Sequence, residues 1–170
     1  MLSNSELILS LDALDRLFQA SQSPRDSLMH SKHALLEFCG WIEEAQDELL
    51  RKCAAKLLDP ADVKLVDERI QKNYTFIFGK FRELISLVIG LNKYKIIDGK
   101  LMSNGSHYVK MIAIVNSLKS PRDRHAHTHF EIHKATATTL DAPSMLKKKA
   151  LDVHLGLSEL EMALKRHKFL

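Results

Sequence analysis

The chain of 170 residues has little of what loop-rich or cross-linked folds require. It holds 6 glycines and 4 prolines, which favours long uninterrupted helices over a succession of tight turns. Its two cysteines, Cys39 and Cys53, fall within one expected helix, where a rise of about 1.5 Å per residue separates them by about 21 Å. They cannot bond to each other there, and reduced thiols in a cytoplasmic protein are the expectation. No apolar run reaches about 18 residues, so nothing is expected to span a membrane. The N-terminus "MLSNSELILSLDALDRL" carries acids inside its apolar stretch and no basic leader, unlike a signal peptide. Nor is one sign of charge in large excess: 25 Lys and Arg against 21 Asp and Glu leave +4 with histidine neutral. That balance permits a polyanionic partner without demanding one.

What is present is ordinary for a globular protein: 45% hydrophobic and 27% charged residues. The length suits a single domain over 1–170 with a real core. Apolar residues recur at spacings of three and four, the helical period. Leu7, Leu11, Leu14, Leu17 and Phe18 predict a helix from Asn4 to Ala20. A second is expected from Pro24 to Leu58, capped by Ser23, with a stripe that includes Leu35, Phe38, Cys39, Ile42, Leu49 and Leu50. Asp59 then caps a third, from Pro60 towards Leu91.

"KIIDGKLMSNG" holds the turn signals Asp98-Gly99 and Asn104-Gly105, and reads as a loop with room for a small hairpin of Ile96-Ile97 against Leu101-Met102. A fourth helix is expected from Ser106 to Leu118, with Val109, Ile112, Ala113 and Val115 inward, and Ser120-Pro121 starts a short one. The last runs from Pro143 to His167 over Leu146, Leu151, Leu155, Leu160 and Leu164. The expected architecture is all-α: an up-and-down bundle of about five or six helices, two of them long.

One tetrapeptide occurs twice, in "SPRDSLMH" at 23–30 and "SPRDRHAH" at 120–127. Ser-Pro-x-Asp is a good helix start. Serine accepts a bond from an early backbone N–H, proline supplies φ, and aspartate sits near the positive end of the dipole. This explains three of the four shared residues without any function. It leaves the arginine, and the histidine five residues on, unexplained. That spacing is cheap by itself, since Arg124 and His129 repeat it.

The second copy carries more. "RDRHAH" reads Arg–Asp–x–x–Ala–His and follows the long helices. It resembles the HEPN superfamily, all-α proteins whose ribonuclease members carry Arg–polar–x–x–x–His, commonly Arg-Asn-x-x-Ala-His. Arg122 matches the arginine, Asp123 the polar second position, Ala126 the small residue and His127 the histidine. The first copy has Met29 where the small residue belongs. A toxin branch of the family continues His-x-Tyr, with that tyrosine modified by a partner nucleotidyltransferase. Here His129 stands at that position.

The resemblance implies a metal-independent endoribonuclease in which two protomers pair their motif helices into one composite cleft. The ribose 2′-OH would attack the adjacent phosphate, with His127 as base or acid. Arg122 would stabilise the transition state, and Asp123 would orient the histidine or the hydroxyl. An arginine at a helix start aims its planar fork where the helix N-terminus also favours an anion. On a regular helix, however, residues five apart lie about 140° apart, so Arg122 and His127 converge only on an irregular turn or across a dimer. The implied partners are RNA, a second copy of the chain, and a cognate antitoxin or other neighbouring-gene protein. The implied setting is toxin or antiviral defence, with no cofactor. The alternative is a non-catalytic HEPN-like helical module that pairs with a nucleotidyltransferase or another protein.

Other features have plainer readings beside functional ones. Arg124, His125 and His129 are weaker candidates for substrate contact, the histidines when protonated. His125, His129 and His133 also share the i, i+4 spacing of zinc ligands, but no HExxH glutamate or cysteine pair accompanies them. No metal is assigned. Trp41 is read as core or dimer interface, and Lys32 and His33 as surface. The basic runs at 147–149 and 165–168 suit solvated helix faces or the steering of a polyanion.

Overall fold

The computed structural model describes residues 3–73, 75–102, 105–126 and 140–170. The fold is all-α. The described residues form seven helices and no strand: α1 (Ser5–Ala20), α2 (Pro24–Leu57), α3 (Pro60–Gln71), α4 (Phe78–Ile89), α5 (Leu91–Leu101), α6 (His107–Ala126) and α7 (Pro143–Arg166). No described helix is long and apolar enough to cross a membrane.

Helices α1, α2 and α7 lie where the apolar period places them. Ser23 opens α2: its Oγ accepts from the Asp26 N–H at 3.1 Å, and its hydroxyl donates to the Asp26 carboxylate at 2.7 Å. Asp59 opens α3 by accepting from the N–H groups of Ala61 and Asp62 at 2.9 and 3.0 Å.

The middle of the chain departs from expectation. The single helix expected over 60–91 is two, and a third follows where a loop and hairpin were expected. Between α3 and α4 the side chains compete with the helix for the backbone. The Asn73 amide donates to the Thr75 carbonyl, and Thr75 Oγ accepts from the Ile77 N–H. Gly90, at φ 89°, turns the chain from α4 into α5 in a conformation that suits glycine. Asp98-Gly99 makes no turn. It lies inside α5, whose buried Tyr94 and Ile97 are one turn apart. The stripe of α6 also differs: Tyr108, Met111, Val115 and Leu118 are buried, whereas Ala113 is exposed. In α7, Val153 and Leu157 are buried while Leu151 and Leu155 are exposed.

Two compact units divide the chain. The first comprises Ile42–Asn116 and Asp152–Leu170. The second comprises Ser3–Trp41 and Ser117–Leu151. Helices α2, α6 and α7 each contribute a segment to both.

In the first unit, Ile42, Phe76, Phe81, Ile85, Ile97 and Leu160 are fully or nearly fully buried. Each such side chain contributes about 1.5–3 kcal/mol on leaving water. Tyr94 and Tyr108 are buried too, with hydroxyls 2.8 Å apart, and Tyr108 donates to Asp98 Oδ1 at 2.7 Å. Burial pushes both phenols above their ordinary range, so they remain protonated donors. Glu159 of α7 caps α6, accepting from the Tyr108 N–H at 2.9 Å and the His107 N–H at 3.3 Å. Gly156 lets the two helices meet. A Cβ there would lie 2.5 Å from Met111 Cβ and 2.6 Å from the His107 carbonyl oxygen.

In the second unit, Leu7, Leu11 and Leu14 of α1 are buried, as are Ala34, Leu35 and Phe38 of α2, Leu118 of α6, and Leu146 and Ala150 of α7. Trp41 is 7% exposed and its indole N–H donates to the Ser3 carbonyl at 3.0 Å. It therefore belongs to the interior of one chain. Lys147 Nζ binds both carboxylate oxygens of Asp12, at 2.6 and 2.8 Å, and Asp15 accepts from the Ser144 N–H in the first turn of α7. Lys149 pairs with Asp141 at 2.6 Å. Two of the three lysines at 147–149 are thus committed to carboxylates, which removes most of that run from the steering of a polyanion.

Candidate functional site

The motif helix is built from its N-terminus forward. Ser106 Oγ accepts from the Val109 N–H, and Glu159 takes the two N–H groups described above. The helix then runs without interruption to Ala126 and carries Pro121 inside it. Proline has no N–H, so the bond that residue 121 would donate to the Ser117 carbonyl is missing. Ser120 does not open a new helix. The two Ser-Pro-Arg-Asp copies therefore differ in structure: the first caps α2, and the second lies in the last third of α6.

This corrects the expected source of anion binding. Arg122 lies fifteen residues beyond the start of α6, so it does not stand at the helix N-terminus that would favour an anion.

The side chains of the motif are placed by the helical period. The buried positions of α6 are 108, 111, 115 and 118, at spacings of three and four. The next steps of that series are 122 and 125. Arg122 and His125 thus continue the core-facing stripe, and both are half-buried. The Arg122 side chain is 27% exposed, and its Nη1 donates to Asp123 Oδ1 at 3.2 Å. The other oxygen of Asp123 accepts from Lys119 Nζ at 3.0 Å. The Lys119 ammonium and the Arg122 guanidinium hold the Asp123 carboxyl below the usual carboxylate range. Asp123 accordingly bonds both Arg122 and Lys119.

His125 Nε2 is buried, with no hydrogen-bond partner among the described residues. Burial, then the charges of Lys32 and Arg124, lower its pKa from 6.5. The shift favours its neutral form. Lys32, read from the sequence as surface, is the nearby cation supplied by α2. Its signal was its place on the α2 face that also carries Leu28 and Leu35. Arg124 is exposed on the opposite side of α6 from the stripe. His127, His129 and His133 lie outside the described residues.

A small cavity of about 70 Å³ lies beside the proline, lined by Leu35, Leu118, Pro121, Asp141, Leu146 and Lys149 among others. Leu35 of α2 and Leu118 and Pro121 of α6 meet around it. A roomier cleft of about 470 Å³ lies between α3 and α4, where Arg69, Lys72, Lys80 and Glu83 line it. The sequence reading singled out none of those four. Among the described residues no three His, Cys, Asp or Glu side chains gather as a metal site would require.

No protein-family model matches the chain, and neither a curated protein nor a solved structure matches it.

Proposed function

We propose that the protein is a metal-independent endoribonuclease of the HEPN type, acting in the cytoplasm as a homodimer. The observation that carries this reading is the setting of Arg122. A permanently charged guanidinium takes the place of a core residue on α6, half-buried and held by Asp123. A structural surface arginine has no need of such a position, whereas a phosphate-binding arginine gains from fixed orientation and low dielectric.

In the proposed reaction His127 of one protomer takes the proton of a ribose 2′-OH. The 2′ oxygen attacks the adjacent phosphorus, and Arg122 offsets the charge that builds on the non-bridging oxygens. The P–O5′ bond breaks, and the imidazolium of the partner's His127 returns a proton to the leaving 5′ oxygen. The products are a 2′,3′-cyclic phosphate and a 5′-hydroxyl, so atoms and charge balance without a metal. The proposed context is a toxin or antiviral defence system, with RNA as substrate and an antitoxin or neighbouring-gene protein as restraint.

The test is cleavage of RNA by purified protein in EDTA. The wild type yields 2′,3′-cyclic phosphate ends, and Arg122→Ala and His127→Ala each lower the rate by at least 100-fold (about 2.7 kcal/mol) while remaining folded. His30→Ala, at the corresponding position of the first copy, cleaves normally. Equal cleavage by wild type and both variants sinks the assignment. A wild type that never cleaves leaves the non-catalytic pairing module as the reading.

A further inference from the structure

The cleft between α3 and α4 lies within one compact unit and takes no part in the proposed nuclease site. Two stripes build it. Leu65, Arg69 and Lys72 follow one another at helical spacings along α3 and its C-cap, and Lys80, Glu83 and Leu84 do so along α4. Lys72 and Lys80 flank the connection between the two helices, and Leu65 and Leu84 lie farther from it in sequence. Cations therefore line the cleft near the connection and leucines line it farther out. Leu65 is 47% exposed, so the fold leaves this apolar wall uncovered.

The charges along the cleft do not all answer one another. Lys80 and Glu83 pair at 2.7 Å. Glu68, Arg69 and Lys72 have no side-chain partner among the described residues. Glu68 and Lys72 even stand at the i, i+4 spacing that suits an ion pair, yet no bond joins them. Two cations and one carboxylate are thus left facing the same space, which calls for a ligand bearing both signs. The Arg69 fork suits a carboxylate, and Lys72 adds a second positive charge one turn on. Glu68 only accepts, so it needs an N–H. An α-amino acid offers a carboxylate and an ammonium on neighbouring atoms, and an apolar side chain can cover the two leucines. The volume of about 470 Å³ is ample for it.

We infer that this cleft binds a free apolar α-amino acid. Arg69 and Lys72 hold its carboxylate, Glu68 holds its ammonium, and Leu65 and Leu84 receive its side chain. The site is independent of the nuclease reading, and neither stands or falls with the other.

The test is calorimetric titration of the full chain with free leucine and phenylalanine. The wild type binds at least one of them. N-acetylated and C-amidated forms of the bound amino acid lack the ammonium and the carboxylate respectively, and each is expected to bind about tenfold more weakly. Arg69→Gln/Lys72→Gln is expected to bind the free amino acid about tenfold more weakly and to lose the preference over the amidated form. Glu68→Gln loses the preference over the acetylated form. Lys93→Gln/Lys95→Gln removes the same charge from exposed positions of the same unit and binds as wild type does. Circular dichroism melting confirms that each variant is folded.

A wild type that binds neither amino acid overturns the site. So does wild-type affinity in Arg69→Gln/Lys72→Gln, or an equal loss in Lys93→Gln/Lys95→Gln. Equal affinity of the wild type for the free, acetylated and amidated forms overturns the assignment of the three charged residues.

Discussion

Asp47 on α2 is half-buried, and burial pushes its carboxyl up to about 6 from an ordinary 3.8. Arg51 opposes the rise, while Glu43 and Glu44 add to it. The folded chain therefore keeps a proton that the unfolded chain releases between about pH 4 and 6, so stability falls as pH rises through that window. Asp47→Asn removes the penalty. In urea titrations it should raise the unfolding free energy at pH 7 by on the order of 1 kcal/mol, a figure discounted for the screening that half exposure allows. At pH 4 it should change little, and no pH dependence in the difference would refute the assignment. His125 has the opposite sign. Its folded pKa lies below 6.5, so the unfolded chain binds its proton first and stability declines as pH drops below that value.

Pro121 is the element-level anomaly: a residue that costs about 3 kcal/mol in a helix interior sits one position before the arginine of the motif. Pro121→Ala restores a donor for the Ser117 carbonyl. It is expected to stabilise the protein by about 1–3 kcal/mol in denaturant unfolding. A less stable Pro121→Ala would show that the proline fills a required packing position. Proline also limited what the sequence disclosed. It reads as a helix start, and that reading is correct at Pro24 and wrong at Pro121. Once α6 is continuous, the spacing 108, 111, 115, 118 extends to 122 and 125 and exposes Arg122 and His125 as polar residues at core positions. Helices α1, α2 and α7 were legible from their apolar period, and at α2 the Ser23 cap agrees with it. Residues 60–102 were not, because side-chain bonds at Asn73 and Thr75 interrupt a helical pattern, and Asp98 spends its polarity on two tyrosine hydroxyls. The nearness of Lys32 to His125 came from the packing of α2 beside α6, which no local pattern encodes.

For the molecule as a whole, the proposed composite cleft requires two copies. Light scattering should give a mass of twice 19.4 kDa, and cleavage per protomer should fall when the protein is diluted until the dimer dissociates. A monomer with undiminished cleavage would rule out the shared cleft. The division of the chain has a further consequence, for synthesis. Residues 42–116 separate the two segments of the unit that holds both Ser-Pro-Arg-Asp copies. Its first segment, with the apolar face of Leu7, Leu11 and Leu14, leaves the ribosome long before Leu118, Leu146 and Ala150 exist. That face lacks these later partners until residues 117–151 have been made, and closing the unit costs the entropy of a long loop. A nascent chain stalled before residue 117 carries the first copy but cannot assemble the surface around Arg122.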